Sequence, residues 1–180
     1  HRLLGSNNIL LVVADGYHST ADNQSGHHLA DLALTMATTL SCYAVINSKY
    51  KRQIIDLSDI NAIQTRAKVR DAFLLPIKKF KDEITTNGLP PLIIFLQPLY
   101  TAELPSEMLT LGYGQGERVS QGMPHRPTIS PSLLGKIRIA FADQQISTAL
   151  APIDSSWCGR ELHHLNQLFR QKNLCEGFHD

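Results

Sequence analysis

Two uninterrupted apolar runs, Ile9-Leu-Leu-Val-Val-Ala14 and Leu92-Ile-Ile-Phe-Leu96, constrain this chain more than anything else in it. A strand that faces water on one side alternates apolar with polar residues, whereas a run apolar at every position suits a strand buried on both faces. Such strands belong to parallel sheets covered by helices, so the two runs point to an α/β fold. Between them, Leu29, Leu32, Ala33, Met36, Ala37 and Leu40 recur at the 3.6-residue period and predict a helix packed on the sheet. Tyr43 to Asn47 reads as a second strand, and Gln53 to Leu57 as a short extended segment ending in polar residues. A long helix is expected from about Asp59, with Ile63, Phe73, Ile77 and Ile84 inward and a kink or split at Pro76. Asn87-Gly-Leu-Pro-Pro91 ends it by removing backbone donors and forbidding helical geometry.

Beyond the second apolar run, Met108 to Leu111 reads as a short strand running into Gly112-Tyr-Gly-Gln-Gly116. Ser130-Pro131 is a helix start, a serine N-cap followed by proline at the first helical position, with Leu133, Leu134, Ile137 and Phe141 behind it. Ser147 to Pro152 is the last expected strand and Glu161 to Gln171 the last helix, with Leu162, Leu165, Leu168 and Phe169 inward. The expected architecture is a three-layer α/β fold, a mixed and mostly parallel sheet with helices on both faces, spanning residues 1–180 as a single domain. A chain of 180 residues fits one such domain.

Composition narrows the function classes. With 43% apolar and 18% charged residues the chain is globular, and a net charge of +1 is far from the basic balance that nucleic-acid backbones select. No apolar run approaches the roughly 20 residues of a membrane span, so neither nucleic acid nor membrane is expected as a partner. Cys42, Cys158 and Cys175 are too few and too irregularly spaced for a disulfide framework, which suits a reducing, cytoplasmic setting.

In α/β sheets the reacting groups collect on loops beyond the carboxyl ends of the strands. The loop after the first apolar run carries Asp15, His18, Ser19, Thr20, Asp22 and the pair His27-His28. Imidazole and carboxylate within one turn are zinc ligands, and His18 with Asp22 is the favoured pair, Asp15 being the alternative to His18. Asp22 or Ser25 as a plain helix cap explains the same spacing equally well.

The order of landmarks resembles the N-formylglutamate amidohydrolase family, within the zinc carboxypeptidase-like fold, over almost the whole chain. Asp15-Gly-Tyr-His-Ser-Thr-Ala-Asp22 matches the loop that carries a histidine and an acidic ligand. Arg52-Gln-Ile-Ile-Asp56-Leu57 is similar to an Arg…Asp-Leu-Asn-Arg segment, with Ser58 and Asp59 in place of its last two residues. Leu111-Gly-Tyr-Gly-Gln-Gly116 resembles a glycine-bearing turn after a later strand. Gly159-Arg160-Glu-Leu-His-His-Leu-Asn166-Gln-Leu-Phe169 resembles the C-terminal segment with a catalytic glutamate, an Asn-Arg and an aromatic residue, Gln167 replacing that arginine. The resemblance also implies a histidine ligand at the end of the central strand. Gln97 stands there and is the candidate at that position, although an amide carbonyl is a poorer zinc ligand than imidazole.

The implied activity is zinc-dependent hydrolysis of an amide bond in an N-acyl amino acid or glutamyl-type peptide. Its implied metal ligands are His18, Asp22 and Gln97; Glu161 and His164 are the catalytic candidates, and Arg52, Arg160 and Asn166 bind substrate. His125, on a loop, is a further contingent ligand. The alternative of a different class is a catalytically degenerate member of the fold whose cleft binds a small ligand or protein without turnover, and Gln97 is the residue that favours it. Gly112-x-Gly-x-Gly116 lacks the lysine and hydroxyl residue of a phosphate-binding loop and reads as a tight turn. Ser19 lacks the glycine-flanked elbow of a serine nucleophile. Lys49-Tyr-Lys-Arg52 reads as a solvated basic face or as the border of an anionic substrate site.

Overall fold

A computed structural model describes residues 1–16, 25–98, 109–114, 128–152 and 155–170. The chain divides into two compact units, residues 1–99 and 100–180. Helices and mostly parallel strands make it an α/β protein.

In the first unit the described elements run β1 (Arg2–Leu3), β2 (Ile9–Val13), α1 (Ser25–Leu40), β3 (Tyr43–Ile46), α2 (Ile60–Gln64), α3 (Ala67–Val69), a π-helical segment (Arg70–Leu74), α4 (Leu75–Thr86) and β4 (Leu92–Leu96). They build a sheet of order β1-β3-β2-β4, in which β1 is antiparallel to β3 and the other pairs are parallel. Both uninterrupted apolar runs are therefore strands, and they pair with each other, Leu11 opposite Ile94 and Val13 opposite Leu96. Leu10 to Val13 of the central β2 are wholly buried. β4 departs from the sequence expectation of a fully buried strand: all five of its residues are only partly buried. Among the described strands it closes one end of the four-strand order and pairs with β2 alone.

Alternation along the strands sorts side chains onto two faces. Leu11, Val13, Ala44 and Ile46 join Ala30, Ala33 and Ala37 of α1 in one cluster. Tyr43, on the opposite pleat, packs its ring 5.2 Å from Phe80 of α4 and donates its hydroxyl to Glu83 at 3.0 Å. The buried stripe of α1 is thus its alanines, while Leu32 and Leu40, expected inward, are half exposed. Small side chains at the contact let a helix sit close on a sheet, and that displaces the large ones to the flanks.

The expected long helix is divided. Asp59 caps α2 by accepting from the Asn61 amide at 2.8 Å, and the helix stops at Thr65. Pro76 lies within the continuous helical run 67–86, and the π segment immediately before it absorbs the mismatch in hydrogen bonding, the Leu75 amide reaching back to the Arg70 carbonyl and Arg2 Nη2 donating to the Ala72 carbonyl at 3.0 Å. Gln53 to Leu57, expected to be extended, is instead a turn held by the Ile54 and Ile55 amides on the Lys51 carbonyl, each at 3.0 Å. Ile55 and Leu57 are buried there and anchor the turn.

The described elements of the second unit are β5 (Leu109–Leu111), α5 (Pro131–Asp143), β6 (Thr148–Leu150), a single 3₁₀ turn (Ser156–Cys158) and α6 (Leu165–Arg170). β5 and β6 pair in parallel, Leu109 opposite Thr148. Ser130 caps α5 as expected, its Oγ accepting from the Leu133 amide at 3.3 Å. α6 begins four residues later than expected: Leu162 is exposed, whereas Leu165 and Phe169 are buried. Among the described residues no helix is long and apolar enough to cross a membrane.

Candidate functional site

Because β2 and β4 are parallel and in register, their carboxyl ends lie side by side and bring Asp15 and Gln97 to the same edge of the sheet. The turn after β3 adds Arg52, Asp56 and Ser58, and together these five side chains line one small notch. Its free volume, about 10 Å³, is that of a single water position. A larger open groove of about 410 Å³ lies elsewhere in this unit, between Arg2, Leu75, Pro76, Lys79 and Phe80. Leu4 and Asp71 also line it; of the two, the notch is the one that stands at the carboxyl ends of parallel strands, where α/β sheets bind ligands.

Within the notch the Arg52 guanidinium lies between two carboxylates, Nη1 3.6 Å from Asp15 Oδ2 and Nε 3.6 Å from Asp56 Oδ2. These separations are ion-pair contacts, longer than good hydrogen bonds, and leave the guanidinium edge able to engage an incoming oxyanion. Arg52 is 52% exposed, Asp56 39% and Asp15 only 20%, so Asp15 forms the wall and Arg52 faces solvent. Asp56 is held in place by Ser58, whose amide and hydroxyl both donate to its Oδ1. Lys49 and Lys51 precede Arg52 in sequence, so the turn carries three cations, the Lys49 ammonium lying over the Tyr50 ring at 5.6 Å from its centre.

The turn itself hangs on Asn47, a 5% exposed polar residue at the end of β3. Its Nδ2 donates to the carbonyls of Ala14, at 2.8 Å, and Tyr50, at 2.7 Å. Its Oδ1 accepts from the amides of Lys49 and Tyr50. Gly16 passes directly beneath: a Cβ there would fall 2.6 Å from the Asn47 carbonyl oxygen, so only glycine fits.

The candidates from sequence fall into three groups. Arg52 and Gln97 are brought to the one notch. His18, Asp22 and His125 lie outside the described residues, as does Ser19. Arg160, Glu161, His164 and Asn166 belong to the second unit, the first three on the turn that precedes α6 and Asn166 in its first turn. There Arg160 Nη2 is 3.3 Å from Glu161 Oε1, and the rings of His163 and His164 meet edge to face at 4.8 Å. The side-chain amides of Asn166 and Gln167 both donate to the Gly159 carbonyl, at 3.0 and 2.7 Å. Gly159 has φ of +73°, and a Cβ would lie 2.2 Å from Asn166 Nδ2, so this tight turn requires glycine. Burial pushes the thiol of Cys158, one residue earlier, above its ordinary range.

The notch does not by itself suit a divalent cation. Its two carboxylates already face a guanidinium, whose positive charge occupies the place a cation would need, and Gln97 offers only a neutral amide oxygen. Among the described residues no three histidine, cysteine or acidic side chains are grouped as metal ligands.

Asp15 and Asp56 were legible in the sequence as part of a motif, but Asn47 was not singled out. Its one signal is an asparagine at the end of an apolar strand and before a basic loop, where a side chain of this kind folds the following turn onto itself. No family model, no curated protein and no solved structure matches this chain.

Proposed function

We propose that this protein is a metal-dependent hydrolase of the amide bond in an N-acyl amino acid or glutamyl-type peptide, an amidohydrolase-like domain of three layers over residues 1–180. The observation that carries the reading is the meeting of Asp15, Arg52, Asp56 and Gln97 at the carboxyl edge of a parallel sheet, where α/β proteins bind ligands. In this reading Arg52 receives the substrate carboxylate in the fork of its guanidinium, while Asp15 and Asp56 hold that fork toward solvent. Water adds to the scissile carbonyl, the C–N bond breaks, and the proton from water passes to the departing amine. Glu161, with His164 next to its turn, is assigned that transfer. Arg160 is the second candidate for the substrate's anionic groups, and Asn166 holds the Gly159 turn on which Arg160 and Glu161 stand. Zinc enters the proposal through His18 and Asp22, and the substrate is a small molecule or short peptide handled in the cytoplasm.

The second reading, a ligand-binding module without turnover, is favoured by Gln97, since an amide stands in the notch where the resemblance implies an imidazole ligand. Elemental analysis of the purified protein, paired with release of amine from N-acetyl-L-glutamate, separates the two. Stoichiometric zinc lost in His18→Ala, with amine release lost alongside, supports the hydrolase. Binding of N-acetyl-L-glutamate that depends on Arg52, with no amine released at any zinc level, establishes the binding module instead. A metal-free protein that neither binds nor hydrolyses it ends both.

A further inference from the structure

We infer that Asn47 is the positioning residue of the notch, setting where Arg52 stands relative to Asp15 and hence how tightly a carboxylate is held. The inference rests on the carboxylate role proposed for Arg52. An asparagine amide can donate twice and accept twice, and all four of these bonds are made within 3.0 Å. They fall into two sets with different consequences. The Oδ1 bonds to Lys49 and Tyr50 amides fold the turn after β3 and involve that segment alone. The Nδ2 bond to the Ala14 carbonyl crosses to the adjacent strand, at the residue immediately before Asp15. The same Nδ2 also holds the Tyr50 carbonyl, two residues before Arg52.

One buried amide nitrogen thus ties the backbone that carries the carboxylate to the backbone that carries the guanidinium. The main chain supports the junction, the Asn47 amide donating to Val13 at 2.9 Å and Gly16 leaving no room beneath the Asn47 carbonyl. Arg52 is half exposed and stands at ion-pair distance, 3.6 Å, from both partners among the described residues, contacts looser than the four hydrogen bonds of Asn47. Its placement is inherited from the turn.

Asn47→Asp separates the two sets, because it preserves shape and both acceptor bonds while setting a carboxylate oxygen against the Ala14 and Tyr50 carbonyls. The full chain would be compared as wild type, Asn47→Asp, Arg52→Ala and the double variant, with Asn47→Ser in reserve should the aspartate fail to fold. Two readouts are taken on protein shown to be folded by circular dichroism. The first is the heteronuclear NOE of the Arg52 Nε–Hε group without ligand; the second is the affinity for N-acetyl-L-glutamate by calorimetry. The expected result is a fall of the Arg52 NOE toward that of freely mobile arginines and an affinity lowered about tenfold or more, with no additional loss when Arg52 is already alanine. An unchanged Arg52 NOE in a folded Asn47 variant overturns the inference, as does an equal loss of affinity in the Arg52→Ala background. Should the wild type not bind N-acetyl-L-glutamate, the carboxylate reading falls and the NOE alone decides whether Asn47 positions Arg52.

Discussion

The edge of the sheet in the first unit and the Gly159 turn in the second use the same device, side-chain amides on backbone carbonyls, toward different ends. At the sheet edge Asn47 takes the structural bonds, and the charged side chains Asp15, Arg52 and Asp56 are left at ion-pair distance around a solvent-facing notch. At the Gly159 turn, Asn166 and Gln167 converge on one carbonyl, and Arg160 and Glu161 contact each other as sequence neighbours. The first arrangement separates scaffold from charge and presents the charge; the second binds a tight glycine turn to the helix that follows it. The difference teaches that a polar residue in a motif is read correctly only once its partner is known. The Nδ2 of Asn166, a residue expected from sequence to bind substrate, donates to a main-chain oxygen, whereas Asn47, unremarked in sequence, organises the notch.

Substitutions can break this comparison, and the largest expected effect is at Gly16. Gly16→Val forces side-chain atoms onto the Asn47 carbonyl, and overpacking at such a site costs about 3 kcal/mol. Urea unfolding should show this loss; a stability near wild type would mean that β2 and the turn are not locked together. Next is Gln167→Ala, which removes a 4% exposed amide from the Gly159 carbonyl and is expected to cost about 2 kcal/mol. The comparison sharpens if amine release or ligand affinity at the notch is unchanged in the folded variant.

Tyr43 tests the sheet beneath the notch. Burial, followed by the hydrogen bond to Glu83 and that residue's negative charge, raises the phenol above its ordinary value near 10. The neutral phenol is the form stabilised in the folded protein. Its contribution is therefore complete below about pH 10 and is lost as pH rises through the higher folded value. Tyr43→Phe should cost about 1 kcal/mol at neutral pH and flatten the alkaline end of the stability profile. An unchanged alkaline limb would show that the phenol does not titrate with unfolding. The smallest effect on stability is expected from Arg52→Ala, below about 1 kcal/mol, because Arg52 itself is half exposed and both of its ion pairs are beyond hydrogen-bond length. A loss as large as that of Gly16→Val would make Arg52 part of the scaffold and dissolve the distinction drawn above.

Much of the fold was legible because it depends on short-range patterns. The apolar runs became the paired β2 and β4, the serine and proline at Ser130-Pro131 became a cap, and Pro76 marked a real discontinuity. The errors occur where neighbours in space decide. Gln53 to Leu57 has the composition of a strand, but its Ile54 and Ile55 amides bond back to the Lys51 carbonyl and close a turn instead. Of the expected stripe of α1, Ala33 and Ala37 join the cluster with Leu29 and Met36 packed against it, but Leu32 and Leu40 fall outside the contact with the sheet. Of the site, Arg52, Asp56 and Gln97 were legible from their order along the chain, Asp56 lying within a turn of Arg52, while the meeting of that pair with Asp15 and Gln97 was not, since segments far apart in sequence are joined here only through parallel strand pairing.

By itself, then, the sequence determined an α/β chain with buried strands, a basic turn and acidic residues beyond strand ends, because apolar periodicity and capping chemistry act within a few residues. Only the tertiary structure decided which carboxylates flank Arg52 and which amide supports it. Hydrogen bonds and ion pairs depend on distances of a few ångströms, and those distances are set by strand register and by close contacts such as Gly16 beneath Asn47.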